Sequence, residues 1–161
     1  WKTTSLSFNN SGSAMVHLTA EERKDVGAIL GKVNVDALGG QCLARLMCVY
    51  PWSRRYFPDF GDMSTCDAIC HNARVLAHGA KVMRSVCEAT KHLDNLQEYY
   101  ADLSSTHCLK LFVVPQNFKL FGRIVVVCLA QTLQTEFTWH KQLAFEKLMR
   151  AVAHALIHSY H

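Results

Sequence analysis

Residues 67–90 read DAICHNARVLAHGAKVMRSVCEAT, and this stretch decides the class of fold. Its apolar positions recur at helical spacing, and the shared face comprises Val75, His78, Gly79, Val82 and Val86. The chain has no proline in the 56 residues between Pro58 and Pro115, nor in the 46 residues after Pro115. Because helix interiors exclude proline and β-sandwiches need frequent turns, the sequence predicts an all-α domain with one long helix over residues 67–90.

The flanking sequence predicts further helices. Thr19 and Glu22 form a capping-box pattern that begins a helix over residues 19–33, and Asp36 is expected to cap the next helix. The buried stripe expected for that second helix is Leu38, Cys42, Leu46 and Val49. Later helices are expected over residues 96–108, after Pro115 and after Thr138, which makes an all-α globule of about seven or eight helices.

Composition argues against several classes of protein. The 17 Lys and Arg exceed the 13 Asp and Glu by four, but they are spread along the chain, so nucleic-acid binding is not expected. The longest apolar run has seven residues, 124–130, whereas a membrane helix needs about 20, so no membrane association is expected. The seven cysteines contain no CxxC pair, which favours free thiols in a reducing compartment over a zinc site.

The first residues differ in composition from the rest of the chain. Residues 1–14 are rich in Ser, Thr and Asn and lack the apolar centre of a signal peptide. We interpret Met15 as the initiator, residues 1–15 as a disordered leader or translated upstream segment, and residues 16–161 as the functional domain. That domain has 146 residues.

Two of the nine histidines are candidates for function. His78 and His107 lie on the apolar faces of their predicted helices, within a turn of Val82 and Leu103 respectively. Because an unpaired imidazole in a core is costly, each needs a partner. One interpretation is a core histidine bonded to a backbone carbonyl. The other is a flat iron-bearing macrocycle between helices, with one imidazole as axial ligand and a polar group opposite. Spacing alone does not decide between them.

Short motifs recur in register along residues 16–161. They are VHLT (16–19), GKVNVD (31–36), YPWS (50–53), FGD (60–62), AHG (77–79), HLDNL (92–96), LS (103–104), HC (107–108) and YH (160–161). Together they resemble the haemoglobin β chains of vertebrates, which belong to the globin family. The resemblance implies a globin fold around a haem pocket, haem b with its iron as cofactor, and reversible O₂ binding and transport rather than enzymatic activity.

The resemblance also implies roles for individual residues at the haem. His107 corresponds to the proximal ligand of the iron, and His78 to the distal histidine facing bound O₂. The second ring nitrogen of His107 should then be held by a backbone or hydroxyl acceptor.

Five further side chains are implied around the same pocket. Phe57 corresponds to the loop phenylalanine that wedges the haem, and Leu103 and Leu111 lie on its proximal side. Val82 would limit access over the iron. Lys81 would pair with a haem propionate at the surface.

A partner surface is implied as well. Trp52 and Arg55 correspond to the β-chain surface that contacts the α chain, and exposed aromatic and Arg side chains are typical of interfaces. Tyr160 and His161 match the family's C-terminus. The expected assembly is an α₂β₂ haemoglobin tetramer in the cytoplasm of the erythrocyte.

The departures from the family concern regulation. Leu109 replaces the usual Asp that partners the C-terminal His161, which predicts a weaker alkaline Bohr contribution from that histidine. Phe112 and Val114 replace the usual His and Asp of the α-facing corner, so the cooperativity cannot simply be carried over. Gln97 replaces a Lys of the organic-phosphate site, which predicts weakened phosphate binding.

Two alternatives remain open at this stage. One is a haem protein acting alone, as a monomeric storage globin or as a nitric oxide dioxygenase or peroxidase-like enzyme. The other is an all-α structural or regulatory protein without a cofactor, for which His78 and His107 would be a coincidence. A weak peroxidase-like side activity is compatible with an oxygen carrier.

Overall fold

The structure, a computed structural model, describes residues 16–161. Eight α-helices run through this part of the chain: α1 Ala20–Lys32, α2 Val35–Val49, α3 Cys66–Cys70, α4 Ala73–Ala89, α5 Leu96–Tyr99, α6 Ala101–Leu109, α7 Gln116–Leu133 and α8 Trp139–Leu156. Short 3₁₀ helices connect or follow them at Pro51–Tyr56, Thr90–His92, Gln134–Glu136 and His158–Tyr160. Residues 16–161 contain no strand, so the all-α prediction is confirmed.

The predicted leader and initiator, residues 1–15, fall outside the described residues. Within residues 16–161, no helix has both the length and the apolar character needed to cross a membrane.

The first two helices begin at side-chain caps, one of which the sequence pattern does not predict. Thr19 caps α1 with the predicted capping box. The prediction that Asp36 caps α2 is wrong, because Asn34 Oδ1 accepts the backbone N–H three residues later at 3.0 Å. Asp36 instead lies in the first turn of α2, where it accepts from Arg84 Nε of α4 at 2.7 Å. Val49, expected in the buried stripe, is 51% exposed.

Two predicted helices are each divided in two. The helix expected over residues 67–90 is broken between α3 and α4 at Asn72, which caps α4 and donates from Nδ2 to the Phe60 carbonyl at 2.6 Å. The helix expected over residues 96–108 is broken at Tyr100, which is buried and donates its hydroxyl proton to a carbonyl of α4 at 3.1 Å. At both breaks a side chain bonds to a distant segment, and helical periodicity carries no information about such contacts.

The close crossing of α2 over α4 sets the centre of the fold. A Cβ atom on Gly39 or on Gly79 would collide with the backbone of the opposite helix, so the crossing needs glycine at both positions. Around it lies a core of fully buried side chains, including Met47, Met83, Leu129, Phe145 and Leu148. Burial of such a side chain stabilises the fold by about 1.5–3 kcal/mol. Because His78 directly precedes Gly79, the crossing also fixes the position of His78.

Candidate functional site

A cavity of about 550 Å³ lies among α2, α4, α6, α7, α8 and the 3₁₀ helix Pro51–Tyr56. Most of its lining side chains are apolar. The structure brings together here all seven side chains predicted around the cofactor: Phe57, His78, Lys81, Val82, Leu103, His107 and Leu111. An apolar cavity with a few convergent polar groups is the common form of a small-molecule site.

His107 enters the cavity wall from the last turn of α6. Its Nδ1 lies 2.8 Å from the carbonyl oxygen of Leu103, one turn earlier. Because a carbonyl only accepts, Nδ1 carries the proton and donates, which leaves the lone pair of the neutral ring on Nε2. The Phe118 ring meets the imidazole edge-on, with the centroids 5.3 Å apart. The ring is therefore oriented on two sides, and its second nitrogen has the backbone acceptor that a ligating histidine needs.

His78 enters the cavity from α4 and is half-buried. The rings of Phe57 and Phe60 meet it edge-on, with centroids 5.3 and 5.7 Å from its own. Burial lowers the pKa of His78 below its ordinary value of 6.5, and the nearby charge of Lys81 lowers it further. The His78 imidazole is therefore neutral at pH 7, with one N–H to donate and one lone pair to accept.

The cavity has a partly open mouth. Lys81 is exposed there, one turn of α4 after His78, and Val82 is half-buried beside it. Leu103 and Leu111 line the cavity yet are 38% and 51% exposed. Such exposure of two leucine side chains in a cavity indicates an apolar surface that a ligand would cover.

Sequence reasoning missed several polar groups of this cavity. The Ser53 side chain is 1% exposed, and its Oγ has no hydrogen-bond partner among residues 16–161. Tyr56 and Tyr100 also line the cavity, and the Tyr100 hydroxyl donates to the Ser85 carbonyl at 3.1 Å. Tyr56 could have been found from the sequence, because it directly precedes Phe57. Ser53 and Tyr100 could not, because helix packing brings them to the cavity.

The four residues predicted at a partner surface are absent from the cavity lining in the described chain: Trp52, Arg55, Tyr160 and His161. Trp52 is 52% exposed, and its ring centroid lies 5.2 Å from that of Tyr50. Tyr160 is half-buried, and its hydroxyl donates to the Val113 carbonyl at 2.6 Å. The C-terminal 3₁₀ helix is thereby bound to the segment between α6 and α7.

That segment, residues 110–115, is hereafter the α6–α7 corner. It presents an apolar surface, since Phe112 and Val114 are 74% and 44% exposed, and Leu109 just before it is 67% exposed. Phe112 has a φ of 50°, a left-handed backbone conformation that residues other than glycine rarely adopt. Three of the positions that depart from the family pattern, Leu109, Phe112 and Val114, therefore lie at the surface.

Comparison with known proteins identifies both a family and a relative. The family model described as Globin matches residues 40–156. The chain is 76% identical over 145 residues to "Hemoglobin subunit beta-2" of Triturus cristatus, an alignment that covers 90% of this chain and 100% of that protein.

Proposed function

The chain belongs to the globin family, among the haemoglobin β chains, whose function is haem-dependent oxygen transport, and we propose that it binds O₂ reversibly on haem b held between His78 and His107. The observation that carries the proposal is the hydrogen bond that His107 makes with the backbone. Its Nδ1 is engaged by the Leu103 carbonyl at 2.8 Å, so Nε2 is the nitrogen left to ligate iron.

The residues of the cavity fit a haem group. Its walls are mostly apolar, as the macrocycle requires, and imidazoles from two different helices face the same space. Leu103 and Leu111 expose apolar surface that the macrocycle would cover. Lys81 lies at the mouth, where a haem carries its charged propionates.

When bound, haem would supply an iron atom that can bind O₂, and His107 would hold that iron. The hydrogen bond to the Leu103 carbonyl makes the imidazole of His107 a better electron donor and holds its plane. Burial lowers the pKa of His78 and so keeps its imidazole neutral, and its single N–H would be available to donate to O₂ in the cavity. Phe57 packs edge-on against His78 and orients that donor. Val82 lines the same cavity and would restrict access to the iron.

The proposal extends to partners. Trp52, Arg55, Tyr160 and His161 form the surface that contacts α chains in an α₂β₂ tetramer, within the cytoplasm of the erythrocyte. Organic phosphate binds this tetramer only weakly, because Gln97 removes one cation per β chain. Any peroxidase-like turnover is a side activity of the same haem.

Replacement of His107 by glycine tests the site. The variant H107G should lose the proximal ligand, and added imidazole should restore the five-coordinate ferrous spectrum by entering the space that the side chain leaves. The control is H71G, because His71 is exposed at the end of α3, away from the cavity. Retention of the parent spectrum by H107G without imidazole would show that another group ligates the iron.

A further inference from the structure

The hydroxyl of Tyr56 joins two segments that border the cavity. Tyr56 ends the 3₁₀ helix Pro51–Tyr56 and directly precedes Phe57. Its oxygen accepts the backbone N–H of Val114 at 3.1 Å and Nδ2 of Asn117 at 3.3 Å. Arg55 Nη2 donates to the same oxygen at 2.9 Å. One hydroxyl thus connects the cavity wall to a segment about 60 residues later in the chain.

The α6–α7 corner on the other side of this contact is bonded to the proposed iron ligand. The Val113 N–H donates to the His107 carbonyl at 3.0 Å, and the Tyr160 hydroxyl donates to the Val113 carbonyl at 2.6 Å. Phe112, with its φ of 50°, is strained, and such a conformation persists only where surrounding contacts hold it. The main chain of His107 is therefore hydrogen-bonded to Val113, the residue next to Val114.

We propose that the Tyr56 hydroxyl is a positioning group for O₂ binding, which holds the cavity wall that carries Phe57 against the corner that follows His107. The inference rests on the proposed function. Because Phe57 packs against His78, the hydroxyl would link the surroundings of His78 to the corner that follows His107. A phenylalanine at position 56 would fill the same space without making this link.

The solvent exposure of Val114 distinguishes a positioning role of the Tyr56 hydroxyl from a contribution to the stability of the fold. Val114 is 44% exposed, so its N–H can bond to water when the hydroxyl is removed. The loss then affects the connection between the two segments more than the stability of the whole fold.

The decisive variant is Y56F in the haem-loaded protein assembled with α chains. Y56F removes three hydrogen bonds, two of which, from Val114 and Asn117, join the two segments. Because water can replace part of what is lost, amide hydrogen exchange over residues 110–117 and 51–60 should accelerate by roughly two- to tenfold, about the net contribution of one hydrogen bond. Dissociation of O₂ should accelerate by a similar factor of roughly two to ten, because a looser Phe57 no longer holds His78 in place. The thermal midpoint should move little. The matched control is Y99F, which removes a hydroxyl from a ring that stacks on His92 at 4.3 Å, and should change neither rate.

Two results with Y56F would overturn the inference. Unchanged exchange in Y56F would show that the hydroxyl does not hold the corner, which overturns the inference. Faster exchange with unchanged O₂ dissociation would make Tyr56 a structural residue only, which also overturns it. Failure of the proposed function would instead appear as the absence of reversible O₂ binding in the parent protein, before any variant is compared.

Discussion

The crossing of α2 and α4 leaves no room for a side chain at Gly79. In G79A the new Cβ would overlap the carbonyl oxygen of Gly39 and lie 2.6 Å from its carbonyl carbon. It would also lie 2.8 Å from the Cα of Gly40. Carbon atoms pack at about 3.5–4.0 Å, so the two helices would have to separate by about 1 Å.

The cost of that separation falls at the upper end of the range for overpacking. Backbone atoms cannot rotate away as a flexible side chain can, so we expect a loss of about 3 kcal/mol in the free energy of unfolding. For a chain of this size the melting temperature should fall by roughly 6–12 °C. Because His78 precedes Gly79, the variant should also release haem faster.

The assay is thermal and urea unfolding at fixed protein and haem concentrations, since a bound ligand raises the apparent stability. G27A is the control. Gly27 lies on the exposed side of α1, and a Cβ added there would have no neighbouring atom within 4 Å. Alanine at this position should stabilise by about 0.5–1 kcal/mol, through helix propensity alone. A G79A variant within about 0.5 kcal/mol of the parent would refute this account of the crossing.

Three further outcomes are expected. A hydrogen bond from Lys147 holds the pKa of Glu22 below 4.5, so the stability that Glu22 contributes is complete above that pH and is lost as the pH falls through the lowered value. E22Q should therefore flatten the acid side of the stability curve, and an unchanged curve would contradict the assignment. W52A should weaken assembly with α chains by about 2 kcal/mol, or roughly 30-fold in Kd, measured by sedimentation, whereas an unaltered tetramer would place the interface elsewhere. Deletion of His161 should change the pH dependence of O₂ affinity little in the parent and more in L109D; a large loss in the parent would contradict the role given to Leu109.

Most of the helical framework could be predicted from sequence because apolar spacing and capping residues act locally. Thr19 and Thr138 cap the helices expected to follow them. The prediction of a helix cap fails where two neighbouring side chains could both cap the same helix. Asn34 and Asp36 are both good capping residues, and the choice between them depends on Arg84, which α4 brings to Asp36.

The candidate site was predictable for a different reason. His78 and His107 stand out as imidazoles on apolar faces, and the family motifs then supply roles for their neighbours. The structure brings those side chains to one cavity. Ser53 could not be found in this way, because a buried hydroxyl has no periodic signature. The role of the Tyr56 hydroxyl could not be found either, because its partner Val114 comes from a distant segment.

The visible spectrum of the reduced protein, recorded before and after exposure to O₂, tests the central claim most directly. One proximal histidine with an open sixth position predicts a high-spin five-coordinate spectrum that converts to an oxygenated form and returns when O₂ is removed. A low-spin spectrum with both His78 and His107 bound to iron, or irreversible oxidation on exposure to O₂, would contradict the account.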